Sequence, residues 1–318
     1  VSELLSVAGL VREFPSRRGG ARVRAVNGVD LTLGRGETLG IVGESGCGKS
    51  TLGRTVLRLL EPTAGRILFE GEDLLALAPA ALRARRRDMQ MIFQDPFASL
   101  DPRFTVARIL AEPLVIHGIG SRAERRRRVD ELLETVGLDR QAAARYPHEF
   151  SGGQRQRISI ARAISLEPKL IVADEPVSAL DVSIQSQILN LMAELKRRLG
   201  LAYIFISHDL GVVEHISDTV AVMYLGRIVE SAPVEALFAR PAHPYTEVLI
   251  ASVPRPDPAA RRRRAPLQGE LPDPAAPPPG CPFHPRCPQA MEVCRSREPV
   301  VRDIGAGGPP HRVRCHLH

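Results

Sequence analysis

The sequence predicts an α/β fold, a parallel sheet covered by helices on both faces, and three stretches carry that prediction. Gly43-Glu44-Ser45-Gly46-Cys47-Gly48-Lys49-Ser50-Thr51 follows the apolar run Leu39-Gly40-Ile41-Val42 and precedes a helical pattern, giving the order strand, Gly-rich turn, helix. Leu170-Ile171-Val172-Ala173 and Ala202-Tyr203-Ile204-Phe205-Ile206 are short continuous apolar runs, and the helix between them carries Ile184, Ile188, Leu191 and Leu195 on one face. Apolar runs that do not alternate, joined by helices, belong to strands buried on both sides.

The other elements follow in order. Residues 4–14 and 23–42 alternate apolar and polar side chains, with turns at Gly19-Gly20 and Arg35-Gly36, which predicts an N-terminal antiparallel β region. A helix is expected over Leu52–Leu60, a strand over Arg66–Glu70 and another over Met89–Phe93, ending at Gln94. Residues 95–168 read as a helical subdomain. There Ser121 and Glu124 form a capping box, and Val129, Leu132, Leu133 and Val136 make one buried stripe. The run Arg125–Arg128 opposes the macrodipole at the head of that helix and reads as a solvated face. Gly200 closes the later helix.

With 318 residues and 44% hydrophobic content the chain can bury a sizeable core, about two domains in length. The expected division is 1–253 for the main domain, 254–280 for a Pro- and Arg-rich linker kept extended by its prolines, and 281–318 for a separate Cys-rich module. No apolar run approaches the roughly 20 residues needed to span a bilayer, and Val1-Ser2-Glu3 opens no signal peptide, although a start at Val suggests a trimmed terminus. A cytoplasmic protein, or one bound to a membrane through partners, is expected. The formal charge of +7 competes between nucleic acid or an anionic surface and a plain solvated basic face. Lysine occurs only at Lys49, Lys169 and Lys196, and the second reading is preferred.

Gly43–Thr51 fits the pattern G-x-x-x-x-G-K-[ST], in which glycines let backbone N–H groups curl round a phosphate, Lys49 reaches the β/γ oxygens and Ser50 ligates Mg²⁺. Asp174 and Glu175 end an apolar strand, where Asp174 suits Mg²⁺ and Glu175 suits orienting an attacking water. Phe150-Ser151-Gly152-Gly153-Gln154 opens a helix rich in Ile and Ala, and alone it is compatible with a capping turn.

Taken together, these stretches resemble the ATPase subunit of an ATP-binding cassette (ABC) transporter, whose core is a RecA-like P-loop NTPase. The resemblance covers about residues 4–235. It implies that Ser151, Gly152, Gly153 and Gln154 bind the γ-phosphate of ATP held by the opposite subunit. It further implies that Gln94 senses Mg²⁺, the attacking water and the membrane partner, that Asp181 closes a D-loop beginning at Ser178, and that His208 contacts the γ-phosphate. The family's adenine-stacking aromatic has no match at Gly19–Val23, and Phe14 is the candidate.

Beyond the cassette, His243-Pro244-Tyr245-Thr246, Val253–Asp257, Gly280–Pro288 and Val313–His316 are similar to the C-terminal extension of the oligopeptide, dipeptide and nickel importers, and Asp95–Arg103 leans towards their second, "F"-type ATPase. The resemblance implies import of peptides or related small solutes. The implied partners are a second ATPase or self in a head-to-tail dimer, two transmembrane permease subunits and, indirectly, an extracytoplasmic solute-binding protein. The implied place is the cytoplasmic face of the inner membrane. An ABC-type ATPase acting on nucleic acid in repair or translation is the competing function.

Cys281, Cys287, Cys294 and Cys315 are separated by five, six and twenty residues in a region poor in large apolar side chains, so a metal is expected to replace the missing core. Lacking paired C-x-x-C knuckles, the spacing tilts towards an iron–sulfur cluster, while His284, His311 and His316 keep Zn²⁺ open. Resemblance adds a [4Fe–4S] cluster on the matching cysteines. Cys47, inside the phosphate loop, is not expected to be a ligand.

Overall fold

The computed structural model describes residues 3–15, 22–252, 270–305 and 307–318. The expected linker segment 254–269 and the turn at Gly19-Gly20 lie outside the described residues. In chain order the elements are β1 (Glu3–Pro15), β2 (Arg22–Gly34), β3 (Thr38–Val42), α1 (Lys49–Val56), β4 (Ala64–Phe69), β5 (Glu72–Asp73), α2 (Pro79–Arg85), β6 (Met89–Ile92) and α3 (Pro96–Ser99). There follow α4 (Val106–Ile116), α5 (Arg122–Thr135), α6 (Gly152–Ile164), β7 (Leu170–Asp174), α7 (Val182–Leu199), β8 (Ala202–Ile206), α8 (Leu210–Ile216) and β9 (Thr219–Tyr224). The chain ends with β10 (Arg227–Pro233), α9 (Val234–Ala239), α10 (Pro244–Ser252), α11 (Glu292–Ser296), β11 (Val301–Asp303) and β12 (Arg312–Arg314).

These elements form two compact units, the smaller built from Gly34–Glu37 and Ala76–Ile206, the larger from Glu3–Leu33, Thr38–Leu75 and Ser207–His318. In the smaller unit β6, β7 and β8 run parallel, with Met91 opposite Val172 and Val172 opposite Ile204. Every residue of β7 and β8 is buried, as their unbroken apolar runs require. Helices α4, α5 and α6 pack with Ile109, Leu110, Leu132, Leu133, Ile158 and Ile160 inside. Burying one such side chain is worth roughly 1.5–3 kcal/mol. The predicted stripe is met: Val129, Leu132 and Leu133 lie in α5 and Val136 caps it, all buried, and Ser121 with Glu124 forms the capping box. At its head Arg126 and Arg127 are exposed, while Arg125 and Arg128 find partners within this unit. Arg125 Nε donates to the Ile119 carbonyl at 2.8 Å, and Arg128 meets Glu167 at 2.9 Å. Of the four residues expected on the inner face of α7, Ile188, Leu191 and Leu195 are buried and Ile184 is half-buried.

The larger unit holds two sheets. One has the order β2-β1-β4-β5. In the other, β3 pairs parallel with β9, and β10, β12 and β11 continue antiparallel. The alternating run 23–42 therefore does not stay in one sheet. Thr38–Val42 is buried at all five positions, whereas β2 mixes buried and exposed residues, and the two belong to different surroundings. The helix expected over Leu52–Leu60 ends at Val56, where Leu57 caps it and Arg58 turns to φ 49°.

Segment 281–318, expected as a separate module, is part of the larger unit. Strand β12 hydrogen-bonds β10 in the register Glu230 opposite Val313. Phe283 is 1% exposed and packs edge-on against Tyr224 and at a tilt against Tyr245, with ring centroids 5.3 and 5.4 Å away. The small apolar content of this segment is thus covered by the aromatic side chains of β9 and α10. Among the described residues, no helix is long and apolar enough to cross a membrane.

Candidate nucleotide-binding site

The phosphate loop lies in the larger unit between β3 and α1. Two glycines are forced there by close approach. A Cβ on Gly43, at φ 154°, would stand 2.2 Å from the Met223 carbonyl of β9, and one on Gly48, at φ 109°, would stand 2.0 Å from the Ala25 carbonyl of β2. The turn after β9 also braces the loop, since the Gly226 N–H donates to the Cys47 carbonyl at 2.8 Å. Lys49 is 5% exposed, and its ammonium donates to the carbonyls of Gly43 at 2.7 Å and Glu44 at 3.0 Å. A buried ammonium held by neutral groups, two carbonyls and the Cys47 sulfur, at the positive end of α1 is suited to receive phosphate oxygens. Ser50 and Thr51 stand in the first turn of α1, while Ser45 and Gly46 are exposed at the loop's crest. Cys47 is 1% exposed, and burial pushes its thiol up, which favours the protonated form.

The catalytic candidates of the smaller unit are Gln94, Asp174 and Glu175. Asp174, the last residue of β7, is fully buried. Glu175 follows with φ 46°, a left-handed backbone that costs a non-glycine residue about 1–3 kcal/mol and commonly marks a functional position. Its amide donates to the Ile206 carbonyl at 2.9 Å, which holds the turn. Gln94 Nε2 donates to Glu175 Oε2 at 2.9 Å, joining two residues 81 positions apart.

The expected signature Ser151-Gly152-Gly153-Gln154 starts α6. Ser151 Oγ accepts from the Gln154 N–H at 3.4 Å, and Gln154 Oε1 accepts from the Ser151 N–H at 3.0 Å, so the first and last residues also form a reciprocal cap. Gly153 is required by packing, because its Cβ would lie 2.6 Å from Ile184 Cγ2. Ser151 and Gln154 are exposed, as are Ser178, Asp181 and Val182, the last 78% exposed. His208, in the larger unit, is exposed on a turn in which Asp209 caps α8 and Ser207 Oγ accepts the Asp209 N–H. Phe14 is half-buried with the Arg12 guanidinium 4.5 Å over its ring.

Around the cysteines, Cys281, Cys294 and Cys315 are buried and Cys287 is half-buried. Burial pushes the Cys281 thiol up to about 11, and the other three thiols add to that, so the four sense one another. Among the described residues, however, no group of three or more His, Cys, Asp or Glu is arranged to hold a metal ion. The histidines offered for zinc have other partners: His284 Nδ1 pairs with the Cys281 carbonyl, His311 Nε2 with Glu230 and His316 Nε2 with the Arg297 carbonyl. Neither the cluster nor the zinc alternative finds a formed metal site among the described residues. Four cysteine side chains are the donor set that an iron–sulfur cluster takes.

Sequence reasoning placed Tyr245 and Arg286 only within stretches that resemble the importers' C-terminal extension and gave neither a role at the phosphate loop, which both touch from some two hundred residues away.

A Gly-rich phosphate loop with its buried lysine, a strand-end Asp-Glu pair with a glutamine on the glutamate, and an S-G-G-Q helix start define an ABC-type ATPase. Residues 26–178 match the family described as "ABC transporter", and residues 229–294 match "Oligopeptide/dipeptide transporter, C-terminal region". The chain is 54% identical, over 99% of its length and 90% of the relative's, to "Probable peptide ABC transporter ATP-binding protein y4tS" of Sinorhizobium fredii. It is 53% identical, over 99% and 97%, to "Oligopeptide transport ATP-binding protein AppF" of Bacillus subtilis. Among solved structures it is similar to a dimeric post-hydrolysis state of the ATP-binding cassette MJ0796 bound to ADP and Pi. That match has a TM-score of 0.66 and 29% identity, and covers 73% of this chain and 99% of that one. Another similar structure, cbiO1 from Clostridium perfringens, part of the ABC transporter complex cbiONQ, has a TM-score of 0.66 at 30% identity, covering 76% of this chain and 92% of that one. The chain belongs to the ATP-binding proteins of peptide ABC importers. The nucleic-acid reading finds no support among these relatives.

Proposed function

We propose that this chain is the ATP-hydrolysing subunit that drives import of peptides, or of related small solutes such as nickel, through partner membrane subunits. The observation that carries the catalytic assignment is the Gln94–Glu175 hydrogen bond, with Glu175 held in a left-handed backbone at the end of an apolar strand. On this reading Lys49 exchanges its carbonyl partners for β/γ-phosphate oxygens. Ser50, Gln94 and Asp174 serve Mg²⁺, which neutralises phosphate charge during hydrolysis. Glu175 orients and polarises the attacking water, and His208 contacts the γ-phosphate. Phe14 stacks on adenine once Arg12 gives up one ring face.

The exposed Ser151–Gln154 start and the exposed Asp181–Val182 corner support use of these residues by a facing subunit. That subunit is a second related ATPase or another copy, set head to tail. ATP held between two such chains favours their closed arrangement, and loss of the γ-phosphate contacts removes that preference. Two permease subunits and an extracytoplasmic binding protein complete the assembly at the cytoplasmic face of the inner membrane. Cys281, Cys287, Cys294 and Cys315 are proposed as thiolate ligands of a [4Fe–4S] cluster, supported by the burial of three of them and the electrostatic effect of the other three on Cys281. Its contribution is to cross-link the C-terminal segment, and no step of hydrolysis passes through it.

The test is Glu175→Gln in the assembled complex. ATP binding is expected to persist while turnover falls at least about 10²-fold, since the shape remains and the water-polarising charge is gone. Near-normal turnover would refute the assignment.

A further inference from the structure

The phosphate loop carries an acid, Glu44, directly after its first glycine, although the loop has to receive a polyanion and contributes a single cation, Lys49. The structure shows what offsets that acid. Arg286 grips Glu44 with both arms, Nη1 to Oε2 at 2.7 Å and Nη2 to Oε1 at 2.9 Å. The arginine side chain is 6% exposed and the glutamate 26%, so water screens this pair poorly. Arg286 Nη1 also lies 3.5 Å from the Tyr224 hydroxyl, and the Glu44 N–H donates to the Tyr245 hydroxyl at 2.9 Å. The grip is rigidly mounted. The Arg286 N–H donates to the Phe283 carbonyl at 3.0 Å, and Phe283 is wedged against Tyr224 and Tyr245.

We propose that Arg286, from the C-terminal segment, is a positioning residue of the nucleotide site: it neutralises Glu44 and holds the first peptide units of the phosphate loop in the form that accepts a triphosphate. Arg286 acts through Glu44 rather than on the phosphates. Without it, an unpaired carboxylate would stand within a Debye length, about 8 Å, of the bound phosphates. Repulsion of a triphosphate at that range in a partly wet site amounts to about a tenfold loss of affinity. The inference rests on reading Gly43–Thr51 as the nucleotide site.

The experiment is a titration of the full-length chain with a fluorescent ATP analogue at low and high salt. Arg286→Gln is expected to raise Kd about tenfold at low salt, and less at high salt. Adding Glu44→Gln to Arg286→Gln removes the exposed charge and is expected to recover most of that loss. A merely structural arginine would leave the double variant as weak as the single one, and that result, or a Kd within about twofold for Arg286→Gln, overturns the proposal. Should Arg286→Gln fail to fold, Arg286→Lys decides: it keeps the charge but not the fork, and a tenfold loss in it at either salt concentration would refute neutralisation. Lys49→Ala separates the two readings. If it binds the analogue like the parent chain, the site assignment fails. If it does not bind while Arg286→Gln binds normally, only the role of Arg286 falls.

Discussion

Glu230 offers the sharpest test of what holds the C-terminal segment in place. Its carboxylate is fully buried and accepts three hydrogen bonds: from the Ala242 N–H at 2.7 Å, the His243 N–H at 2.9 Å and His311 Nε2 at 2.7 Å. One side chain on β10 thereby fixes the entry to α10 and the residue just before β12. In Glu230→Ala both amides and the imidazole lose their acceptor. At about 1–3 kcal/mol for each stranded buried donor, the loss is about 4 kcal/mol, a large part of the 5–15 kcal/mol that a domain has in total. Glu230→Gln keeps the volume and one acceptor oxygen but turns an NH₂ towards a donor, and about half that loss is expected. Hydrogen exchange by mass spectrometry reads the effect locally. Peptides covering 240–247 and 310–316 should lose protection by about 10²–10³-fold in Glu230→Ala, while a peptide across Leu170–Asp174 in the smaller unit should not change. Unchanged protection around Ala242 and His311, or equal losses in both units, would refute the reasoning.

Three further outcomes are expected. His243 is held neutral, its proton affinity depressed to about 3 by burial and, less, by His318, while its Nδ1 accepts the Tyr245 N–H. Since the unfolded chain takes up a proton near 6.5 and the folded one does not, this contribution is present above pH 6.5 and is lost as pH falls towards 3. About 2 kcal/mol should go between pH 7 and pH 5, and His243→Asn, which keeps a turn acceptor, should flatten that slope in urea melts run across the range. Gly153→Ala drives a methyl to 2.6 Å from Ile184 Cγ2, which should cost about 1–3 kcal/mol; Ile184→Ala in the same chain should restore the thermal midpoint, and failure to do so would deny the clash. Protein purified without oxygen should be brown with about four irons per chain, Cys287→Ser should lose them, and a colourless iron-free preparation would remove the cluster.

The parallel strands were legible because burial on both faces demands unbroken apolar runs, and Leu170–Ala173 and Ala202–Ile206 have no other use in water. The phosphate loop was legible because close backbone approach forbids a Cβ at Gly43 and Gly48, and that leaves a mark in the letters. The S-G-G-Q start shows how one pattern answers two demands: Ser151 and Gln154 satisfy helix-end amides, and Gly153 makes room for Ile184, so the capping turn seen in the sequence is present and is compatible with a binding role. What stayed hidden is tertiary. Alternation across residues 23–42 does not tell which strand leaves for a second sheet, and a cysteine-rich tail with little apolar content looks independent until Tyr224 and Tyr245 are seen covering Phe283. No local rule ties Arg286 to Glu44, because an ion pair between residues 242 positions apart leaves no periodic trace.

The pairing of β12 with β10 also settles how this sheet ends. A strand with an unpaired row of N–H and C=O groups is a template on which other chains can add, and apolar strands such as β9 and β10 would be hazardous if left open. Here the row on β10 is closed by Arg312–Arg314, and the outermost position falls to β11, three residues long, exposed at each position and carrying Arg302 and Asp303. Short length and charge make that last strand a poor platform for a stranger. The tail is thus a hem on the sheet, and a chain cut before residue 301 would bare β10 to self-association.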